Sequence, residues 1–286
     1  VAECGAEVTS LKVGDRVALE PGAACYTCVY CRQGRYNLCT SMKFAATPPH
    51  DGTLSNDYCL PEVDCYILPE NVSLEAGALV EPLSIAVHCA KLAHISATTS
   101  VVVFGAGPIG LLCCAVARAF GASTVLAVDI NDSRLAFANG YAATSTYRMQ
   151  PGSPAENAAR VLASGALDGD GASVIIEATG AESCITCGIL LMKRGGSFVQ
   201  AGLGAPTVLF PVGEICAKEG VFRGSFRYGP GDYDTAIELL RSGKVEVGSL
   251  ITHRYEFEAA EDAFRAVSKQ VGIKSIIYGP GFPMES

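Results

Sequence analysis

Four cysteines within fifteen residues and three glycines within six are the parts of this chain whose spacing could do chemistry. Cys25-x-x-Cys28-x-x-Cys31, with Cys39 after seven intervening residues, offers four thiolates to a single tetrahedral ion, the arrangement zinc prefers. A closed set of four leaves no position for a substrate, so such a metal would be structural, standing in for a hydrophobic core in a lobe (residues 22–42) too short to build one. Thiols gathered without a metal, redox cysteines and an iron–sulfur centre are the alternatives. Gly105-Ala-Gly107-Pro-Ile-Gly110 follows the apolar run 101–104 and opens a helical pattern. In that context Gly105 permits a tight turn, Gly107 lets the backbone approach a pyrophosphate, and Gly110 allows close helix–sheet packing, with the helix N-terminus facing the phosphates. Asp129 ends the next strand pattern, 19 residues beyond Gly110. A carboxylate there accepts both hydroxyls of an adenosine ribose and repels a 2′-phosphate, which favours NAD over NADP. Arg134, in the helical turn that follows, either covers the adenine or is a solvated helix arginine.

Two textures of secondary structure must position these groups. Through about residue 70, β-favouring pieces at 16–19, 57–60 and 65–68 are separated by Gly, Pro and the cysteine cluster, which reads as a small, irregular β-rich domain. From Ser100, strand patterns at 101–104, 124–128, 174–177, 197–200 and 221–224 alternate with helical patterns at 107–120, 133–141, 154–163, 183–192 and 212–218. Near-continuous apolar strands between helices predict a parallel sheet covered on both faces, a doubly wound α/β domain. Beyond Ser225, a helix at 232–242, a β-prone piece at 250–257 and a helix at 259–269 are too little for a third core and are expected to return to the first domain. The expected division is residues 1–85, 86–225 and 226–286.

The chain of 286 residues is 49% hydrophobic and 17% charged, an ordinary globular balance that excludes disorder. With 21 Lys plus Arg against 29 Asp plus Glu, its net charge of −8 offers no field for phosphate backbones or anionic lipid, so neither nucleic acid nor membrane is an expected partner. The apolar stretch 108–117 stops at Arg118, far short of the ~20 residues of a membrane span. Thirteen cysteines, an odd number below the density of disulfide scaffolds, suit reduced, buried or metal-bound thiols in the cytoplasm. Cys184 and Cys187 fall in a helical pattern and read as packing, and the histidines His50, His88, His94 and His253 show no ligand spacing.

The cysteine lobe ahead of a dinucleotide fold, with Gly14-Asp-Arg-Val17 before it and Leu79-Val-Glu-Pro-Leu83 between, resembles the zinc-dependent medium-chain alcohol dehydrogenases. Further stretches resemble the polyol branch (sorbitol, xylitol and L-arabinitol dehydrogenases), and most closely the fungal xylitol dehydrogenases. They are Gly34-Arg-Tyr-Asn-Leu-Cys39, Phe44-Ala-Ala-Thr-Pro-Pro49, Gly52-Thr-Leu54, Glu81-Pro-Leu-Ser84 with His88, Val103-Phe-Gly-Ala-Gly-Pro108, Gly224-Ser-Phe-Arg-Tyr-Gly229 and Leu250-Ile-Thr-His-Arg254. The match runs over residues 1–278. It implies a GroES-like catalytic domain beside a Rossmann domain, a small polyol as substrate and a homo-oligomer, dimer or tetramer.

By the same resemblance Glu81 lies at a catalytic zinc, as a ligand or through the metal-bound water, and Arg227 and Tyr228 contact polyol hydroxyls. Ile109, Asp129, Arg134, Ala201, Gly202, Leu203, Ser225, Phe226 and Arg227 line the NAD site. Zinc then lowers the pKa of a secondary alcohol, whose alkoxide expels hydride to the nicotinamide. Read from the residues alone, Glu81 equally caps the helix that follows it, and Arg227-Tyr228 is a plain loop. Family members carry, ahead of the point equivalent to Val1, a zinc-ligand Cys, a Gly-His-Glu motif and a proton-relay Ser. No Gly-His-Glu occurs here. The expectation is therefore a polyol dehydrogenase sequence without its first part, the companions of Glu81 lying outside it; the alternative is a short form that binds NAD and structural zinc without catalysis.

Overall fold

The runs Val-Val-Val-Phe and Val-Leu-Ala-Val are apolar at successive positions, so a strand made from either must be covered on both faces. In the computed structural model, which describes residues 1–282, they form the centre of a six-stranded parallel sheet. Its strands are β1 (Ser100–Phe104), β2 (Thr124–Asp129), β3 (Ser145–Arg148), β4 (Ala172–Glu177), β5 (Met192–Gln200) and β6 (Val221–Gly224), in the spatial order β6-β5-β4-β1-β2-β3. Between them run α1 (Pro108–Ala119), α2 (Asp132–Tyr141), α3 (Pro154–Ala163), α4 (Glu182–Leu191) and α5 (Val212–Ala217). The strand order reverses between β1 and β4, the place where doubly wound sheets open a crevice at their carboxyl ends.

Val102, Phe104, Leu126, Val128, Ile175 and Phe198 of the sheet pack with Val161 of α3 and Ile185, Cys187 and Ile189 of α4 in one buried cluster. A reciprocal cap starts α3: Ser153 Oγ accepts from Glu156 N at 3.2 Å, and the Glu156 carboxylate accepts from Ser153 N at 2.7 Å.

This sheet belongs to the compact unit Ile85–Arg227; a second unit comprises Val1–Ser84 together with the chain from Tyr228 onward. The second unit forms the expected helices as Asp232–Arg241 and Ala260–Ser268, and its strands are short. Val17–Leu19 pairs antiparallel with Cys65–Ile67, Gly22–Ala23 with Lys43–Phe44, and Ile251–Tyr255 runs parallel to Lys274–Ile277. Side chains do much of its holding. Arg254 donates to Glu75 through Nε at 2.6 Å and Nη2 at 2.8 Å, Tyr278 donates to the same carboxylate, and Tyr233 donates to Leu19 O at 2.9 Å.

Several local expectations change. Residues 57–60 form no strand: Ser55 Oγ donates to Asp57 O, and the stretch joins no ladder before Pro61 and the 3-10 turn Glu62–Asp64. β3 is polar, Ser-Thr-Tyr-Arg, and at the sheet edge it needs no apolar run. β5 begins at Met192 rather than 197, because Gly195 (φ +69°) and Gly196 admit an irregularity in its pairing with β4. The helix expected after Glu81 runs Val80–Leu92, with Glu81 inside its first turn rather than ahead of it, and the short pairings near residues 22 and 43 lie outside the sequence reading.

Candidate functional site

Gly105, with φ +95°, turns the chain out of β1, and its N–H donates to Val128 O at 2.8 Å. The chain then enters α1, with Gly107 at the N-cap, Pro108 at N1, and no side chain capping the first turn. Its leading N–H groups therefore point to whatever lies beyond the sheet end. The two other glycines of the motif differ. A Cβ on Gly110 would clash with Gly105, whereas one on Gly107 would meet no atom within 4 Å. Space kept open at Gly107, over an uncapped helix end, fits a pyrophosphate lying against the backbone.

Asp129 closes β2 beside this turn. Its Oδ2 accepts from Ala106 N at 2.7 Å, and its Oδ1 accepts from Ile130 N at 2.7 Å and Asn131 N at 2.9 Å. Next to it a cavity of 350 Å³ is lined by Ile130, Arg148, Gln150, Asn157 and Ser183 among others. Ile130 is 74% exposed, an apolar face directly after the ribose-binding candidate. Arg134 is half-buried on α2 and does not line the cavity; Arg148 does, paired with Asp132 at 3.1 Å. Neither Ile130 nor Arg148 is conspicuous in the sequence.

At the other side of the switch point, Ala201, Gly202 and Leu203 leave the end of β5, and Ser225, Phe226 and Arg227 leave the end of β6. Ser225 N donates to Gln200 O at 2.8 Å, and Leu203 is 89% exposed. Arg227 is held at φ +56° with its guanidinium 4.7 Å from the centre of the Phe226 ring. Ile109 stands half-buried in the first turn of α1. The structure thus brings all the dinucleotide candidates to the carboxyl edge of one sheet.

The four cysteines come together as well. Their Sγ atoms all lie within 4.8 Å of one another, with Cys25 to Cys31 at 4.0 Å and Cys28 to Cys31 at 3.5 Å. A tetrahedron of Zn–S bonds has edges of about 3.8 Å, so the set fits a single zinc ion. Backbone amides point at the sulfurs: Cys28 N donates to Cys25 Sγ and Cys25 N to Cys39 Sγ, both at 3.3 Å. Hydrogen bonds led by those from Thr27 hold the Cys25 thiol down at about 6, whereas burial pushes Cys31 up to about 12. Among the described residues this is the one group of three or more ligand side chains close enough to share an ion. Glu81 does not join such a group among the described residues.

Glu81 lies in the first turn of the helix Val80–Leu92. It and Tyr228 share a neighbour in Tyr233. The Tyr228 and Tyr233 rings meet edge-on at 5.0 Å, and burial followed by the charges of Tyr228 and Glu81 raises the Tyr233 pKa far above its usual value. Tyr228 is only 2% exposed, part of a buried aromatic group in which Tyr66 stacks on Tyr233 at 4.8 Å.

Comparison with known proteins gives this geometry a family. Residues 1–70 match the alcohol dehydrogenase GroES-like domain, and residues 108–242 match the zinc-binding dehydrogenase domain. D-xylulose reductase A of Aspergillus niger is 53% identical over 279 residues, which cover 98% of this chain and 78% of that protein. Among solved structures, an Escherichia coli oxidoreductase/dehydrogenase of unknown specificity involved in membrane biogenesis superposes with a TM-score of 0.90 at 31% identity, covering 96% of this chain and 78% of that one. L-Idonate 5-dehydrogenase of E. coli K-12 gives 0.84 at 27% identity, covering 94% and 77%. The chain belongs to the zinc-dependent medium-chain alcohol dehydrogenases. Within that family it stands in the polyol branch.

Proposed function

We propose that the protein oxidises a polyol at a secondary alcohol, passing hydride to NAD: xylitol to D-xylulose, or sorbitol or L-arabinitol to the corresponding ketose. The observation that supports this most directly is the likeness over 98% of the chain to a D-xylulose reductase, in a molecule whose sheet end keeps the whole dinucleotide constellation. NAD, when bound, supplies the hydride acceptor. The chain's own part is to seat the pyrophosphate on Gly107 and the first turn of α1 and the adenosine ribose on Asp129, with Ile109 and Arg134 beside them. Ala201, Gly202, Leu203, Ser225, Phe226 and Arg227 then hold the reactive half. Arg227 and Tyr228 are assigned to the polyol hydroxyls, and Glu81 to the reacting centre. Cys25, Cys28, Cys31 and Cys39 are assigned to a structural zinc.

No helix among the described residues is long and apolar enough to cross a membrane, and none of the thirteen cysteines forms a disulfide. Reduced thiols support a cytoplasmic enzyme. A homo-oligomer is supported by β6, an edge strand that exposes Val221 and Phe222. The test is NADH formation by full-length, zinc-loaded protein offered xylitol, sorbitol and L-arabinitol; oxidation of none of them overturns the assignment.

A further inference from the structure

A buried carboxyl side chain with no role assigned to it lies at the carboxyl edge of the sheet. Glu177, the last residue of β4, is 0% exposed. Its Oε1 accepts from Thr179 N at 2.8 Å and from the Thr179 hydroxyl, and its Oε2 accepts from Gly180 N at 2.8 Å and Gln200 Nε2 at 2.6 Å. Gln200, the last residue of β5, stands directly opposite in the strand register. The Gln200 Nε2 also donates to Gly202 O at 2.8 Å. The Glu177 carbonyl accepts from Ala201 N and Gly202 N, both at 2.8 Å. Together with the bond from Ser225 N to Gln200 O, this pair fastens the loops that leave β4, β5 and β6. The packing between the first two is close enough that a Cβ on Gly204 would lie 2.0 Å from Gly180 O.

The pair is satisfied on one side only. Because Nε2 faces two acceptors, the orientation of the Gln200 amide is determined, and Oε1 is left buried without a hydrogen-bond partner among the described residues. A buried carbonyl without a donor costs stability, so the amide is held in place by the two acceptors at Nε2 alone.

We propose that Glu177 and Gln200 are positioning residues for the nicotinamide half of the bound dinucleotide. Glu177 acts through Gln200 and the loop amides. Gln200 braces Ala201, Gly202 and Ser225, the segments that leave β5 and β6 toward that half. The inference rests on the NAD-binding reading.

The experiment compares calorimetric binding of NADH with that of ADP-ribose, which keeps the adenosine and pyrophosphate but lacks the nicotinamide. Wild-type protein that binds neither overturns the NAD reading and this proposal with it. Given wild-type binding, Gln200→Met, which retains volume and leaves Glu177 bonded to Thr179 and Gly180, weakens NADH about tenfold and ADP-ribose less than about twofold. Glu177→Gln, whose amide turns a donor toward donors, shows the same asymmetry more strongly. Equal loss of both ligands, as loosening of the whole sheet end would give, or no loss of either, overturns the proposal. Should Glu177→Gln fail to fold, Gln200→Met decides alone.

Discussion

A Cβ on Gly110 would lie 1.7 Å from the carbonyl oxygen of Gly105. Gly110 can therefore change only if the turn out of β1 moves. Gly110→Ala is expected to lower stability by ~2–3 kcal/mol, as overpacking against backbone does, and to weaken NADH binding as well. Gly107→Ala meets no protein atom, so its unfolding midpoint should stay within about 0.5 kcal/mol of wild type while NADH affinity drops at least about tenfold. Denaturant unfolding beside NADH titration separates the two; equal behaviour of both variants would count against the pyrophosphate seat.

Removing the charge of Asp129 should alter which dinucleotide binds. Asp129→Asn keeps the shape at the end of β2 but no longer repels a 2′-phosphate, with Arg148 on the wall of the neighbouring cavity. The NADPH-to-NADH affinity ratio is expected to rise at least about tenfold. An unchanged ratio would mean that the ribose lies elsewhere.

Zinc should be inseparable from order in the lobe that carries the four thiols. Chelation, or Cys28→Ser, is expected to remove one zinc per chain by elemental analysis and to open residues 22–42 to protease. Cleavage that is equally slow with and without the metal would argue for thiols packed for their own sake.

Glu20 predicts a pH dependence. It is 2% exposed and accepts from the Tyr66 hydroxyl at 3.0 Å, with Tyr36 also bonded and Asp64 and Asp232 adding negative charge. Burial, chiefly, raises its pKa from 4.5 to about 7. Folded Glu20 thus holds its proton more tightly than the unfolded chain does, so stability falls as the pH rises through that window. The loss is absent below about 4.5 and complete above about 7, on the order of 2–3 kcal/mol. Asp64, also raised, pushes the same way. Urea midpoints at pH 5 and pH 8 should therefore converge in Glu20→Gln relative to wild type; an identical slope in both proteins would refute the assignment.

What could be read from residues alone follows the strength of the physical constraint. β1, β2 and the glycine motif were legible because doubly buried strands must be continuously apolar and a tight turn into a helix needs glycine at fixed offsets. The cysteine lobe was legible because zinc dictates both ligand type and spacing. β3 was not, since an edge strand tolerates Ser-Thr-Tyr-Arg, and residues 57–60 misled because the short apolar run Tyr-Cys-Leu says nothing about a pairing partner. Glu177 could have been found from a carboxylate ending the run Val-Ile-Ile before Ala-Thr-Gly. Its partner Gln200 could not, because only the strand register sets the two side by side. Glu81 and Tyr228 are far apart in sequence, and their common neighbour Tyr233 emerges only when residues 17–19 and 228–241 fold together.

The distribution of thiols also makes the chain its own indicator. Outside the lobe, Cys89, Cys113, Cys114 and Cys187 are buried, Cys4, Cys65 and Cys184 are half-buried, and Cys59 and Cys216 are exposed. A colorimetric thiol reagent added to native, metal-loaded protein should therefore develop two fast equivalents, rising toward six once a chelator strips the lobe. Colour yield alone would then report the metal occupancy of any preparation before kinetic work begins.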